Sequence, residues 1–356
     1  MSHEYGAMRV AVIVVNWNSG SMLDTCLAHL QRQTRPADRV IVVDNASTDG
    51  SADPIAAGRR GVEVIRLATN AGFAAANNLG IRHASDCDAV ALLNPDAFPE
   101  PQWLASLCEA ARAHVACASF GSQMVGAHAP DVLDGIGDVF HVSGLHWRAG
   151  YRRPRSAVVD CPREIFSACA AAALYRRDAV LDAGGFDDAY FCYSEDVDLG
   201  FRLRLLGYGC RYVPGAVVRH VGSAASGTGS DFSVYHGHRN MVWTFVKDMP
   251  GPLFWQYLPQ HVLTNALSVL WFILTGRGRA IVRAKIGALR GLRGAWRQRR
   301  AIQARRTVSA RSVRAMMDRR LVGCYTSRRT MLPRAGDAAG RPTRPVLQSH
   351  GDVARR

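Results

Sequence analysis

The sequence predicts an α/β fold built on a mostly parallel sheet. Three observations predict it. Short β-branched runs alternate with helical patterns, as in successive βαβ units. Those runs are apolar throughout, as strands buried on both faces require. Polar clusters stand at the carboxyl ends of three of them, where open α/β sheets bind ligands. The first run is residues 10–15, ending at Asn16 and Asn18. Leu23, Leu27 and Leu30 then recur at helical spacing. Residues 39–43 form the second run, closed by Asp44 and Asn45 before a turn-rich stretch containing Ser47, Asp49 and Gly50. A third strand is expected at 62–67, a helix at 73–82, and a fourth strand at 89–93 that ends in Asn94-Pro95-Asp96. Residues 118–165 carry no assignable period. A small-residue strand and a short helix follow within 167–183, then a turn at Gly184-Gly185. Ser194 is placed to cap a helix whose first turn holds Glu195, Asp196 and Asp198, with Leu199, Leu203 and Leu206 on its buried face. A last strand is expected at 212–220.

The chain has 356 residues, of which 48% are hydrophobic and 21% charged, which excludes a disordered or fibrous protein. Its net charge of +15 is segregated. Residues 1–275 carry 22 Lys+Arg against 26 Asp+Glu, whereas 276–356 carry 22 against 3. A mildly acidic body with a basic tail is a poor nucleic-acid partner, and no RNA- or DNA-binding motif is present. Nine cysteines without C-x-x-C or zinc spacing read as reduced cytosolic thiols. The N-terminal apolar run reads as a strand, not as a signal peptide.

Several clusters can carry chemistry. Asp44, in a loop of small polar residues, can accept the ring N–H of a pyrimidine base or can simply cap the next helix. Gly72 allows close backbone approach to a ligand, with Asn77 and Asn78 on the helix that follows. Asp96 can hold Mg²⁺ or Mn²⁺, which needs few protein ligands when phosphate oxygens complete its shell. Glu195, Asp196 and Asp198, with Asp187 just upstream, crowd one helix start. The helix dipole alone would accommodate them, but crowding also raises a carboxyl pKa, as a general base requires. His220 can be a third metal ligand or simply a structural residue, and Arg239 can clamp a diphosphate through its planar fork.

The ordered set VVNWN, VVDNASTDGS, NAGFAAANNLGI, LLNPDA, GGFDDAYFCYSEDVDLGFRLRLLGY and HVGS resembles the GT-A-fold glycosyltransferases of family 2, in their rhamnosyltransferase-like branch of bacterial surface-polysaccharide synthesis. The resemblance covers residues 8–245, with a nucleotide-binding half (8–100) and an acceptor half (101–245). It implies a GT-A, Rossmann-like fold, a nucleotide-diphospho-sugar donor, a divalent metal and inversion by single displacement. By motif position, Asn16, Asn18, Asp44, Asn45, Asn77, Asp96 and Arg239 would line the donor. Asp96 and His220 would hold the metal, and Asp196 would be the base. Glu195, Asp198 and Asp187 would shape the acceptor side. Asn94 stands where a fuller D-x-D motif has its first Asp. The implied donor is dTDP-L-rhamnose and the implied acceptor a lipid-linked saccharide. Another dTDP- or UDP-sugar, or a non-catalytic sugar-nucleotide-binding scaffold, are the alternatives.

Residues 249–276 are uncharged but hold Pro250, Pro252 and Pro259, and only sixteen residues separate Pro259 from Gly276, short of the ~20 of a span. His261, Thr264, Asn265 and Ser268 share one helical face, and Leu263, Ala266, Leu267 and Leu270 another. Next, Ile281, Ile286, Leu289 and Leu292 are set against Arg279, Arg283, Arg290 and Arg293. Residues 249–300 therefore read as amphipathic helices, either lying on an anionic membrane surface or packed on the catalytic domain. Residues 301–356 are expected to form a poorly ordered basic tail. The expected location is cytoplasmic, peripheral at the inner face of the plasma membrane.

Overall fold

The computed structural model describes residues 8–320, apart from 57, 59, 60, 159, 160 and 223–229. The first half of the chain follows the expected alternation. It runs β1 (Val10–Asn16), α1 (Met22–Gln31), β2 (Arg39–Asp44), α2 (Asp53–Ala56), β3 (Val62–Arg66), α3 (Gly72–His83) and β4 (Ala89–Leu93). β1 pairs in parallel with β2 and β4, and β2 in parallel with β3. The register sets Asn16 beside Asp44, so both polar strand ends open on the same edge.

The period of two decides which layer each side chain enters. Val10, Val12 and Val14 pack under α1 with Leu23 and Leu27. Ala11, Ile13 and Val15 face the opposite layer with α3. α3 lies so close to the sheet that a Cβ on Gly80 would come within 2.6 Å of Ile13 Cγ2.

The second half adds β5 (Ala97–Pro99), α4 (Trp103–Ala113), β6 (Cys117–Gly126), β7 (Ala129–Gly135), a hairpin of β8 (Asp138–Phe140) and β9 (His146–Arg148), and β10 (Arg163–Glu164). Then come β11 (Ala172–Arg176), α5 (Arg177–Asp182), α6 (Glu195–Leu205) and β12 (Gly209–His220). The sheet order is β10-β12-β6-β11-β4-β1-β2-β3, so β11 enters antiparallel beside β4 and turns the parallel half into a mixed sheet. The unassignable stretch 118–165 thus supplies nearly all of β6 and the whole of β7 to β10. β6 is buried along nearly its whole length and β8 to β10 have only two or three residues each, so neither shows a sustained period of two.

Three helices close the fold: α7 (Asp231–Asp248), α8 (Gly251–Leu274) and α9 (Gly278–Ala304), followed by α10 (Ala310–Met316). They bury a third cluster that includes Phe140, Phe166, Phe201, Phe245 and Phe254. Order does not stop at residue 301 as expected, because α9 continues to Ala304 and Val313 of α10 is fully buried. Residues 321–356 of the expected tail lie outside the described residues. Among the described residues, no helix is long and apolar enough to cross a membrane.

Candidate active site

The site lies at the carboxyl ends of the strands. On the donor side, the expected residues are brought together but are largely bonded to one another. Asn16 is fully buried, and its Nδ2 donates to Asp44 Oδ1 (3.1 Å), Ser47 Oγ (3.0 Å) and Ser51 Oγ (2.9 Å). Asn18 accepts from Thr48 N at 2.7 Å and so pins the loop after β2. Asn45 ties that loop to the next: it donates to Asn70 Oδ1 (2.9 Å) and accepts from Ala71 N (2.8 Å). These three asparagines build the cradle around Asp44. Asn77 donates to Phe73 O of its own helix. Its neighbour Asn78 does the long-range work, donating to Phe186 O (2.8 Å) and Asp188 Oδ1 (2.7 Å) and accepting from Phe186 N (2.8 Å). Gly185 is required there, since a Cβ would approach Asn78 Oδ1 to 2.7 Å at a φ of +71°.

Asp96 and His220 do meet. The β5–β12 register pairs His220 with Ala97, and His220 Nε2 comes within 3.3 Å of Asp96 Oδ1. On its other side His220 Nδ1 lies 2.8 Å from Asp134 Oδ2, and Asp134 also holds Arg148 Nη1. Burial alone would lower the pKa of His220, but hydrogen bonding to Asp134 and Asp96 raises it to about 9. Asp134, on β7, was not foreseen. It fixes the ring in the way that metal-ligating histidines are commonly fixed by a carboxylate. The fit to a divalent cation rests on this pair. His220 Nε2 makes only the 3.3 Å approach to Asp96 Oδ1, which a cation between them would replace, and Asn94 Oδ1, two residues before Asp96, is buried without a hydrogen-bond partner. Among the described residues no group of three or more His, Cys, Asp or Glu could hold a metal. A cation here would therefore take the rest of its shell from the diphosphate.

Asp196 stands at the start of α6, half-buried. Its Oδ2 accepts from Ala170 N (3.1 Å) and its Oδ1 from Val197 N (2.8 Å). The next residue of the same loop, Ala171, accepts from Asn94 N at 2.9 Å. One two-residue step of backbone thus joins the Asp96 motif to the Asp196 carboxylate. The carboxyl that crowding raises is Glu195: burial, then the charge of Asp196, pushes it well above its ordinary value. Asp138, on β8, is raised in the same way by burial and by Asp196, and Ser167 Oγ donates to it at 3.1 Å.

Other expectations are corrected. Ser194 does not cap α6 with its side chain. It adopts a left-handed φ of 66°, and its Oγ lies 2.7 Å from His146 Nε2. Asp198 does not face an acceptor. It is fully buried and bound by Arg202 Nη2 (2.6 Å), Lys247 Nζ (2.7 Å) and Tyr190 OH (3.1 Å). Burial would raise its pKa, but Arg202 and Lys247 hold it below the usual carboxylate range. Asp187 is drawn into the same cluster through Lys247.

Arg239 is likewise committed to structure. It donates to Tyr190 O (2.8 Å) and Ala189 O (3.1 Å) and lies over the Trp243 ring at 4.4 Å. Asn240 adds bonds to the carbonyls of Tyr190, Cys192 and Tyr193. Together they hold a loop in which Phe191, Tyr193 and Ser194 all have positive φ. Such conformations persist only when the surroundings impose them, and they gather at functional sites.

Comparison with known proteins bears on the family and the fold. The family model described as Glycosyl transferase family 2 matches residues 11–182, and that of Glycosyl transferase family group 2 matches 158–276. The chain is 29% identical over 308 residues to the N-acetylglucosaminyl-diphospho-decaprenol L-rhamnosyltransferase of Mycobacterium tuberculosis, covering 76% of this chain and 96% of that one. It is 34% identical over 191 residues to the pre-mycofactocin glycosyltransferase of the same organism, covering 51% and 37%. Among solved structures it resembles the mannosyltransferase PcManGT of Pyrobaculum calidifontis, in complex with GDP-Man and Mn²⁺. That match has a TM-score of 0.51 and 20% identity, covers 87% of each chain, and speaks for the fold. The chain is a GT-A-fold enzyme and belongs to glycosyltransferase family 2.

Proposed function

We propose that this glycosyltransferase moves L-rhamnose from dTDP-L-rhamnose to a lipid-linked saccharide in cell-surface polysaccharide synthesis, with inversion at the anomeric carbon. The observation that carries the reading of one catalytic centre is the 170–171 step, which binds Asp196 on one side and the Asn94-Pro95-Asp96 motif on the other. The similarity to an enzyme named for L-rhamnosyl transfer onto a decaprenol-linked sugar supports the choice of donor and acceptor.

In this mechanism Asp196 takes the proton of an acceptor hydroxyl while that oxygen attacks C1 of the sugar. The bond from C1 to the diphosphate breaks on the opposite face, and the electron pair leaves with the diphosphate. Two backbone N–H groups fix the direction of the Asp196 carboxylate. Glu195, favoured neutral by burial beside it, keeps the site from carrying a second negative charge. Asp44 sits at the end of the nucleotide-binding half, where it would receive the base. Asp96 and His220 would hold Mg²⁺ or Mn²⁺, which when bound neutralises charge on the departing diphosphate. Such an acceptor sits in a membrane, so the enzyme would work peripherally at the cytoplasmic face of the plasma membrane.

The test is nucleoside-diphosphate release from a panel of sugar nucleotides, with Mg²⁺ or Mn²⁺ and a lipid extract of the source cells. Release confined to dTDP-rhamnose and dependent on the extract is expected. Release from another donor only would overturn the rhamnose assignment. No release from any donor would overturn the catalytic reading in favour of a sugar-nucleotide-binding scaffold.

A further inference from the structure

α8 is built inside out. Its polar face points into the protein: His261 is buried and its Nδ1 lies 2.7 Å from Ser143 O, while its ring stacks on Phe245 at 3.9 Å. Asn265 Oδ1 accepts from Lys285 Nζ of α9. Its apolar face points out. Val262, Leu263, Leu267, Leu270, Trp271 and Leu274 form one continuous stripe, each more than half exposed. A contiguous apolar surface of this kind marks an interaction site.

Charge says what covers it. Residues 249–317 contain no Asp or Glu and thirteen Lys or Arg. On α9, Arg279, Arg283, Arg290, Arg293, Arg297 and Arg300 are all exposed, and Leu289 between them is 66% exposed. Between α7, α8 and α9 runs a groove of about 740 Å³ that is lined by Val246, Phe254 and Leu258 together with Arg293, Arg297 and Arg300. An apolar surface bordered by arginines alone complements an apolar chain that ends in phosphate.

We propose that the outer faces of α8 and α9 form a monotopic docking surface for an anionic bilayer, with α8 lying in the headgroup region rather than crossing it. The polar inner face explains why α8 does not span: His261 is already bonded to Ser143 of the catalytic domain and Asn265 to Lys285 of α9. The inference rests on the reading of a lipid-linked acceptor, so membrane binding is measured separately from donor turnover and either can fail alone.

The experiment is co-sedimentation of the full chain with vesicles of phosphatidylcholine, with and without phosphatidylglycerol. Binding is expected to the anionic vesicles, to weaken in high salt, and to fall at least ~tenfold in a Leu263→Glu/Leu267→Glu/Leu270→Glu variant. That variant should keep its far-ultraviolet circular dichroism and its affinity for dTDP. A second readout needs no charged substitution. Brominated lipid should quench the wild type, and a Trp255→Phe/Trp271→Phe variant should lose most of that quenching. The proposal is overturned if the wild type stays in the supernatant with anionic vesicles. It is equally overturned if the triple variant binds as well as the wild type, or if the stripe instead mediates a dimer that the variant dissociates.

Discussion

Lys247→Met removes one charge from a balanced buried cluster. Lys247 is 1% exposed; its Nζ lies 2.7 Å from Asp198 Oδ1, contacts Asp187, and sits 4.7 Å from the centre of the Tyr190 ring. Two cations, Lys247 and Arg202, face two carboxylates, Asp187 and Asp198. Asp248 is fully buried beside them, and its carboxyl is pushed well up by burial and by Asp198, toward the neutral form. Methionine fills much of the lysine volume, so the loss is one of charge and not of packing. It leaves one uncompensated buried negative charge. Breaking a buried pair costs about 3–5 kcal/mol. Arg202 keeps both its bonds to Asp198, at 2.9 and 2.6 Å, so the low end of about 3 kcal/mol is expected. The assay is equilibrium urea unfolding followed by circular dichroism. Adding Asp198→Asn to Lys247→Met removes the orphaned charge, so the double variant should be more stable than the sum of the singles by at least ~1.5 kcal/mol. A single-variant cost under about 1 kcal/mol, or strict additivity, would refute the view that Lys247 neutralises this cluster. Because Asp198 and Asp196 share the first turn of α6, the same cluster sets the position of the proposed base.

Asp196→Asn should lower kcat by ~10²–10⁴-fold while leaving dTDP affinity unchanged, by steady-state kinetics and calorimetry; normal turnover would remove it from the role of base. Asp134→Asn should weaken Mn²⁺ binding by roughly 10–100-fold, read by electron paramagnetic resonance without any turnover, whereas equal affinity would show that His220 needs no such support. Burial, reinforced by Lys285, lowers the pKa of His238 to about 3, and burial likewise lowers that of His261 to about 4. Both therefore bind fewer protons folded than unfolded below pH 6.5, and stability should fall as pH drops from 6.5 toward 4, by up to about 1.4 kcal/mol per pH unit for each group. Melting curves across that range should show the loss, and a His261→Gln variant should show a shallower one; a flat profile would contradict the buried neutral histidines.

Local chemistry made much of the fold legible. A β-branched run such as 10–15 can be little but a buried strand, and Asp44, Asn94 and Asp96 stand just after such runs. Their placement at one sheet edge follows from parallel pairing. The motif around Asp196 was equally visible, because three acids in one helical turn are unusual in a helix that only needs a cap. Tertiary structure decided which of those acids are tied into buried ion pairs. Asp198 and Asp187 turn inward because their partner, Lys247, lies on a distant helix that no local pattern connects to them. Arg239 spends its donors on the carbonyls of a strained loop for the same reason. Asp134, Asp138 and His146 come from a stretch without period, so only strand pairing could bring them beside His220, Asp196 and Ser194. In α8 the two faces were readable but not their direction. Which face is buried depends on what it meets, and Ser143 O and Lys285 offer the polar face hydrogen bonds that an apolar core would not.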